Sequence, residues 1–414
     1  MTTQQREFHG WRVVAATFVL AMFGWGLGFY GPPVFLQAVR DTRGWSVAIV
    51  SAAVTVHFLV GAAVVANLGR LYRRFGVPAI TKLGAILLAA GVLGWALAAE
   101  PWQLFAATLF SGAGWVAMGA AAVNAIIAPW FVRTRPAALA MAYNGASIGG
   151  VVFSPLWVAA IAWLGFPMAT ALIGAVMVVT IWVLADVYFR STPWQLGQTA
   201  DGDAPDAAPM AILARPVASL PGAQLWRNRR FLTLAAGMAF GLFAQIGLLA
   251  HLFSLLVPVL GAQIAGLAMG GATVAAIAGR SLVGWLMPVG ADRRLVACAS
   301  YAVQVAGSIA LLVAAGTSIP LLLAGVVLFG AGIGNATSLP PLIAQTEFTK
   351  DDAARAVPLI VAIGQASYAF APAAFGLIRA FGPTDPGAPW LFIAAAIIQL
   401  LAIATFLVGR RASS

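Results

Sequence analysis

A helix needs about 20 mostly apolar residues to cross a bilayer, and this sequence is assembled almost end to end from runs of that kind. Some twelve can be marked, at 11–39, 45–68, 78–99, 102–128, 136–163, 166–189, 231–258, 261–288, 293–315, 319–345, 355–381 and 388–409, with short polar punctuation between them. With 62% hydrophobic and only 8% charged residues, the chain cannot clothe a water-facing surface. Backbone polar groups in hydrocarbon must be satisfied inside each segment, which selects helices. A membrane β-barrel would need short alternating strands, whereas these runs are long and apolar all round. The polar stretch Met1 to Gly10 is short, and the first run is too long for the apolar core of a cleaved signal peptide, so it is expected to remain as a membrane helix.

The net charge of +11 would fit a nucleic-acid partner if it formed a patch, but the basic residues fall at loop positions that alternate along the chain. From a cytoplasmic N-terminus, one side collects Arg6, Arg12, Arg70, Arg73, Arg74, Arg133, Arg135, Arg190, Arg215, Arg227, Arg229, Arg230, Arg293, Arg294, Arg410 and Arg411. The other side collects only Arg40, Arg43 and Arg379. Positive loops stay inside, so both termini are expected in the cytoplasm and no nucleic-acid partner is expected. The preference for Arg over Lys, with many Ala, suits a GC-rich bacterial genome and hence a cell inner membrane. The lone Cys298 excludes an internal disulfide.

One long polar break, 190–230, carries Pro193, Pro205, Pro209, Pro216 and Pro221 with Asp201, Asp203 and Asp206. It reads as a partly disordered cytoplasmic linker between a bundle over 1–189 and a bundle over 231–414. The two halves echo each other. Phe110-Ser111-Gly112-Ala113-Gly114 and then Asn124 match Phe329-Gly330-Ala331-Gly332 and then Asn335. Gly145-Ala146-Ser147 with Pro155 matches Gln365-Ala366-Ser367 with Pro372. Parallel six-helix repeats are a transporter signature. The expected fold class is therefore an all-α membrane protein, with twelve transmembrane helices in two pseudo-symmetric six-helix bundles around a central cavity.

Six plus six helices, a long central loop and the basic segment Gly69-Arg70-Leu71-Tyr72-Arg73-Arg74-Phe75-Gly76 together resemble the major facilitator superfamily. In that family this segment is thought to latch one conformation, which marks Gly69, Arg70, Arg73, Arg74 and Gly76 as candidate gating residues; Arg73 stands where the family pattern has an acidic residue. Several segments are similar to the monocarboxylate transporter branch, including its bacterial members. They are Gly10-Trp11-Arg12-Val13-Val14, Gly44-Trp45-Ser46, Trp130-Phe131-Val132-Arg133 with Arg135-Pro136-Ala137-Ala138-Leu139-Ala140, and Gly279-Arg280 with Gly284. Two features of the animal members are missing: a Lys in the first helix, and an Asp one turn before Arg280, where Ala276 stands. The resemblance implies alternating access, a monomer, and a cavity lined by the first, fourth, seventh and tenth helices.

Ionisable groups inside a bilayer are costly and so point to function. Arg280 is expected about ten residues, roughly 15 Å at the helical rise, from the cytoplasmic end of its helix and so near the midplane. A central Arg costs about 2.5–3.5 kcal/mol to insert. No carboxylate lies within a helical turn of it in sequence. An anionic substrate would offset that cost, because a guanidinium fork matches a carboxylate; a structural Arg bonded to carbonyls at a broken helix would also do so. His57 and His251 are the candidate proton carriers, the other reading being neutral imidazoles bonded across a helix pair. Tyr30, Asn124, Gln245, Asn335 and Tyr368 are the further substrate-binding candidates, each also able to serve as interhelical glue.

Other chemistries lack their motifs. Gly145-Ala146-Ser147-Ile148-Gly149 matches a hydrolase elbow but has no preceding strand. No phosphate-binding Gly-Lys-Ser/Thr loop, His-Glu-x-x-His or paired-Cys spacing occurs, so neither an enzyme nor a cofactor or metal is expected. The function expected is secondary active transport of a small, monocarboxylate-like organic anion across the lipid bilayer with proton symport. The alternative is a proton-antiport exporter of drugs or hydrophobic metabolites, whose relatives often carry a Gly-Pro pair where Gly150 is here followed by Val151.

Overall fold

The computed structural model describes residues 8–202, 222–287, 291–381 and 388–410. Residues 203–221 of the expected linker, with Asp203, Asp206 and Arg215, lie outside the described residues, as do Arg6 and Arg411. Among the described residues every regular element is helical.

Among the described residues, eleven helices are long and apolar enough to cross a membrane. They are α1 (Gly10–Arg43), α2 (Val47–Phe75), α3 (Val77–Leu97), α4 (Pro101–Ile127), α5 (Arg135–Leu164), α6 (Phe166–Phe189), α7 (Arg229–Leu286), α8 (Arg293–Ala314), α9 (Ile319–Glu347), α10 (Arg355–Phe381) and α11 (Pro389–Val408). The expected count was twelve, and the difference lies in α7. Its 58 residues join the expected runs 231–258 and 261–288. A straight helix of that length would be about 87 Å long, far more than a bilayer of roughly 30 Å. It is not straight, because Gly261 leaves the helical region with φ 74° and ψ 158°, three residues after Pro258. α7 is thus two limbs meeting at one glycine. Most other helices start on proline: Pro78, Pro101, Pro136, Pro167, Pro320 and Pro389 all occupy a first turn, where the missing N–H costs nothing.

By packing, the chain divides into two compact units, Met1–Pro32 with Val60–Ile212, and Pro33–Leu59 with Leu213–Ser414. The end of α1 and the start of α2 therefore pack with the second unit. In the first unit, Trp157 is fully buried and its indole N–H donates to the Gly26 carbonyl at 3.1 Å, tying α5 to α1. In the second, Phe231, Met238, Leu242, Tyr301, Leu339 and Phe406 share one core, with Tyr301 stacked on Phe406 at 5.7 Å. The surface reverses the usual pattern: Trp163, Phe381 and Trp285 are 86, 85 and 81% exposed. Such a surface suits lipid and not water.

The internal repeat reappears as a packing seam. A Cβ on Gly114 of α4 would strike the backbone of α3 at Leu88 and Gly84. A Cβ on its counterpart Gly332 of α9 would strike α8 at Gln304 and Ser300. Matching glycines set the same close helix contact in each unit.

Candidate functional site

In the second unit, the second limb of α7 lies backbone to backbone against α9. A Cβ on Gly279 would strike the Ala331 carbonyl, and one on Gly334 would strike that of Ala276. Only glycine permits that approach. The approach places half-buried Arg280 beside α9, where its Nε donates to the Gly334 carbonyl at 3.0 Å. The Ser338 hydroxyl donates to the same oxygen at 3.1 Å. A guanidinium is planar, so one fixed Nε bond sets the plane of the whole fork. The carbonyl-bonded state weighed from the sequence is present at Nε.

Asn335, next along α9, is buried, and so is Gln245 on the first limb of α7, whose Oε1 has no partner among the described residues. Tyr368 on α10 meets Phe58 edge-on at 5.6 Å, and Phe58 stands against buried His57 at 5.1 Å. His251 is buried, with Nε2 3.0 Å from the Pro372 carbonyl. A carbonyl only accepts, so Nε2 carries the proton and Nδ1, which has no partner among the described residues, is bare. That is the interhelical bond of a neutral imidazole.

Asn124 and Tyr30 belong to the first unit. Asn124 Nδ2 donates to the Ala120 carbonyl and to Tyr143 Oη, both at 2.8 Å. Tyr143 Oη donates onward to Ala120 at 3.2 Å, and its ring meets Trp25 edge-on at 6.0 Å. Sequence reasoning missed Tyr143, whose only signal was a lone phenol on an apolar helix. Tyr30 sits at the break in α1, edge-on to Phe29 at 5.1 Å.

The basic segment closes α2 and opens α3. Gly76 has φ +81°, which favours glycine at that turn. Gly69, Arg70, Arg73 and Arg74 are exposed, and Arg74 lies over the Phe75 ring at 5.1 Å. Leu68, Leu71 and Tyr72 anchor the segment against Ile80 and Ala117. The second unit holds a buried ion pair that sequence reasoning did not find. Arg294, only 1% exposed, meets Glu347 through Nε to Oε1 at 2.6 Å and Nη2 to Oε2 at 2.9 Å. It also donates to Thr233 Oγ1 at 3.1 Å and to the Arg230 carbonyl at 2.9 Å. Asp292 caps α8 and pairs with Arg410 at 2.6 Å.

Residues 190–202, expected as part of a partly disordered linker, fold back on the first unit. Asp201 Oδ2 accepts from the backbone N–H of Val132 at 3.0 Å and of Arg133 at 2.8 Å. Its Oδ1 accepts from the N–H and hydroxyl of Thr134. Beside it, the His9 N–H donates to Gln198 and the His9 ring stacks on Tyr188. Burial pushes the Asp201 carboxyl up, but the bonds from Thr134, Arg133 and Val132 outweigh burial and leave it at about 2. The sign follows: the clamp is complete above the ordinary value of 3.8 and is lost only as pH falls through about 2. Asp201→Ala should remove it at every pH. Hydrogen exchange at Val132, Arg133 and Thr134 should then rise on the order of tenfold, and unchanged exchange would show that the clamp does not hold the turn.

The sequence matches the family described as Major Facilitator Superfamily over residues 14–372. A curated relative, "MFS-type transporter 1" of Ophiocordyceps sp. (strain BCC 1869), is 30% identical over 185 residues, covering 44% of this chain and 40% of the relative. The match thus spans less than half the length of that relative. Among solved structures, a mutant of the nucleoside transporter NupG superposes with a TM-score of 0.74 at 11% identity, covering 96% of this chain and 100% of that one. A D-xylose-proton symporter gives 0.72 at 13% identity, with 95 and 97% covered. A bacterial homologue of the human lysosomal transporter Spinster gives 0.70 at 16% identity, with 99 and 100% covered.

Proposed function

The chain belongs to the Major Facilitator Superfamily, and we propose that it is a secondary active transporter of a small, monocarboxylate-like organic anion, working by alternating access in a bacterial inner membrane. Nucleosides, xylose and the cargo of Spinster span several chemistries, so the substrate class rests on this chain's own residues and not on its structural neighbours. The observation that carries it is Arg280, whose guanidinium is half-buried, six residues before the end of the limb at Leu286, with its Nε bonded to the Gly334 carbonyl. A pre-oriented fork is what bidentate carboxylate recognition uses. Gln245 and Asn335, with amides, and Tyr368, with a phenol, are further substrate-binding candidates in the same unit, and Asn124 and Tyr30 are candidates belonging to the other.

Proton symport follows from charge. An anion entering against an inside-negative potential opposes about 2.3 kcal/mol per 100 mV, and a co-transported proton cancels that term. His57 and His251 are the proposed proton carriers, and His251 also holds the Pro372 carbonyl. Proteoliposomes holding the purified protein should take up radiolabelled lactate or acetate when an inward proton gradient is imposed, and protein-free vesicles should set the baseline. Uptake no faster than that baseline, together with increased drug tolerance in cells overproducing the protein, would favour the exporter reading.

A further inference from the structure

Of the three basic residues that charge asymmetry assigns to the outer side, two belong to the second unit's packing and are within electrostatic reach of each other. Arg40 is in the part of α1 that packs with the second unit, and Arg379 is near the end of α10. Both are half-buried. They lie within electrostatic reach of each other, and both reach His251 in the same way. Among the described residues no carboxylate forms an ion pair with either guanidinium. The nearby Asp41 accepts instead from Gln37 at 2.7 Å. Arg379 Nη1 donates to Ser254 Oγ at 2.5 Å, and Ser254 in turn donates to the His251 carbonyl at 2.8 Å, so Arg379 is positioned from α7. Arg40 Nε is buried with no partner, and so is Gln37 Oε1 one turn away.

Two half-buried guanidiniums within electrostatic reach repel each other, and a buried unpartnered donor costs further. Among the described residues neither cost is offset. We propose that Arg40 and Arg379, with Ser254 fixing the second, form a binding site for an oxyanion, separate from Arg280. The ligand chemistry is a carboxylate or phosphate group, either free in the outer aqueous phase or carried by an anionic lipid headgroup. The site goes beyond the transport reading and does not depend on it.

The test uses purified full-length protein carrying Arg280→Gln, which removes the proposed transport site. Its melting temperature is followed against inorganic phosphate and against acetate, with sodium chloride at matched ionic strength as reference. In a second arm the protein is held in nanodiscs of phosphatidylcholine with and without phosphatidylglycerol. Stabilisation beyond chloride is expected, and in Arg40→Gln and Arg379→Gln its half-saturation should move at least tenfold higher or the effect should vanish. A response to free anions identifies a solute site, and a response confined to phosphatidylglycerol identifies a headgroup site. Arg40→Gln keeps the proposal testable should Arg379→Gln fail to fold, since Arg40 Nε makes no hydrogen bond that substitution would break. Equal melting temperatures in all salts and both lipids, or an undiminished response in Arg40→Gln, would overturn the site.

Discussion

Arg280→Ala is expected to abolish anion uptake while the protein still inserts and accumulates in the membrane. Truncating one partner of a hydrogen-bonded charge pair costs about 2–5 kcal/mol. At about 1.4 kcal/mol per decade that is at least roughly thirtyfold in substrate affinity. Arg280→Lys keeps the charge but loses both the fork and the Nε bond to Gly334, so it should recover little. Gly334→Ala tests the same geometry from the other side. Its Cβ would meet the Ala276 carbonyl and the Arg280 Cβ, so it should impair uptake although it leaves the guanidinium intact. Initial rates in proteoliposomes, normalised to inserted protein, give the answer. Wild-type rates in Arg280→Ala would mean that the guanidinium serves only the α7–α9 contact.

Glu347→Ala is expected to give the largest loss of stability. Arg294 has 1% of its side chain exposed and Glu347 20%, so removing the carboxylate strands a desolvated guanidinium. Breaking a buried pair in this way costs about 3–5 kcal/mol, which corresponds to roughly 6–20 °C at about 2–4 °C per kcal/mol. The remaining bonds of Arg294, to Thr233 Oγ1 and the Arg230 and Phe406 carbonyls, are between charged and neutral groups and cannot replace the carboxylate. Replacing both partners together, as Arg294→Met with Glu347→Leu, should restore much of the loss, since an apolar pair leaves no charge stranded. Thermal unfolding followed by intrinsic fluorescence distinguishes the two variants. A double variant as unstable as the single one would mean that Arg294 stabilises through its backbone contacts and not through Glu347.

The fold was legible where it depends on local composition. Apolar runs of the right length mark membrane helices whatever their neighbours do, and the limb junction in α7 falls where the runs 231–258 and 261–288 were separated. What hid the junction's form was that the helix continues on both sides of a single non-helical residue, so two expected helices count as one. The glycine repeat was legible too, because a helix seam needs small residues at fixed spacing. Contacts between distant parts of the sequence were not. Arg294 read as one more loop cation, since its carboxylate is 53 residues away. Asp201 read as part of a disordered segment, since what orders it is the backbone of 132–134 and not any side-chain pattern near it. Tyr143 gave no sign that it would hold Asn124. Arg280 stood out because a charge in a hydrophobic run needs an explanation. Its tether did not, because the acceptor is a backbone carbonyl, which every residue has.

The central claim is that Arg280 binds a small carboxylate. The most direct measurement is ligand-induced stabilisation of purified protein carrying Arg40→Gln, so that the other proposed anion site cannot respond. A series of small carboxylates is titrated across pH against chloride at equal ionic strength. Ligand at about 100 times its Kd should add about 2.7 kcal/mol of stability, raising the melting temperature with at least one carboxylate, and Arg280→Gln should remove that rise. If no carboxylate stabilises the protein, or the rise survives Arg280→Gln unchanged, the anion assignment is wrong.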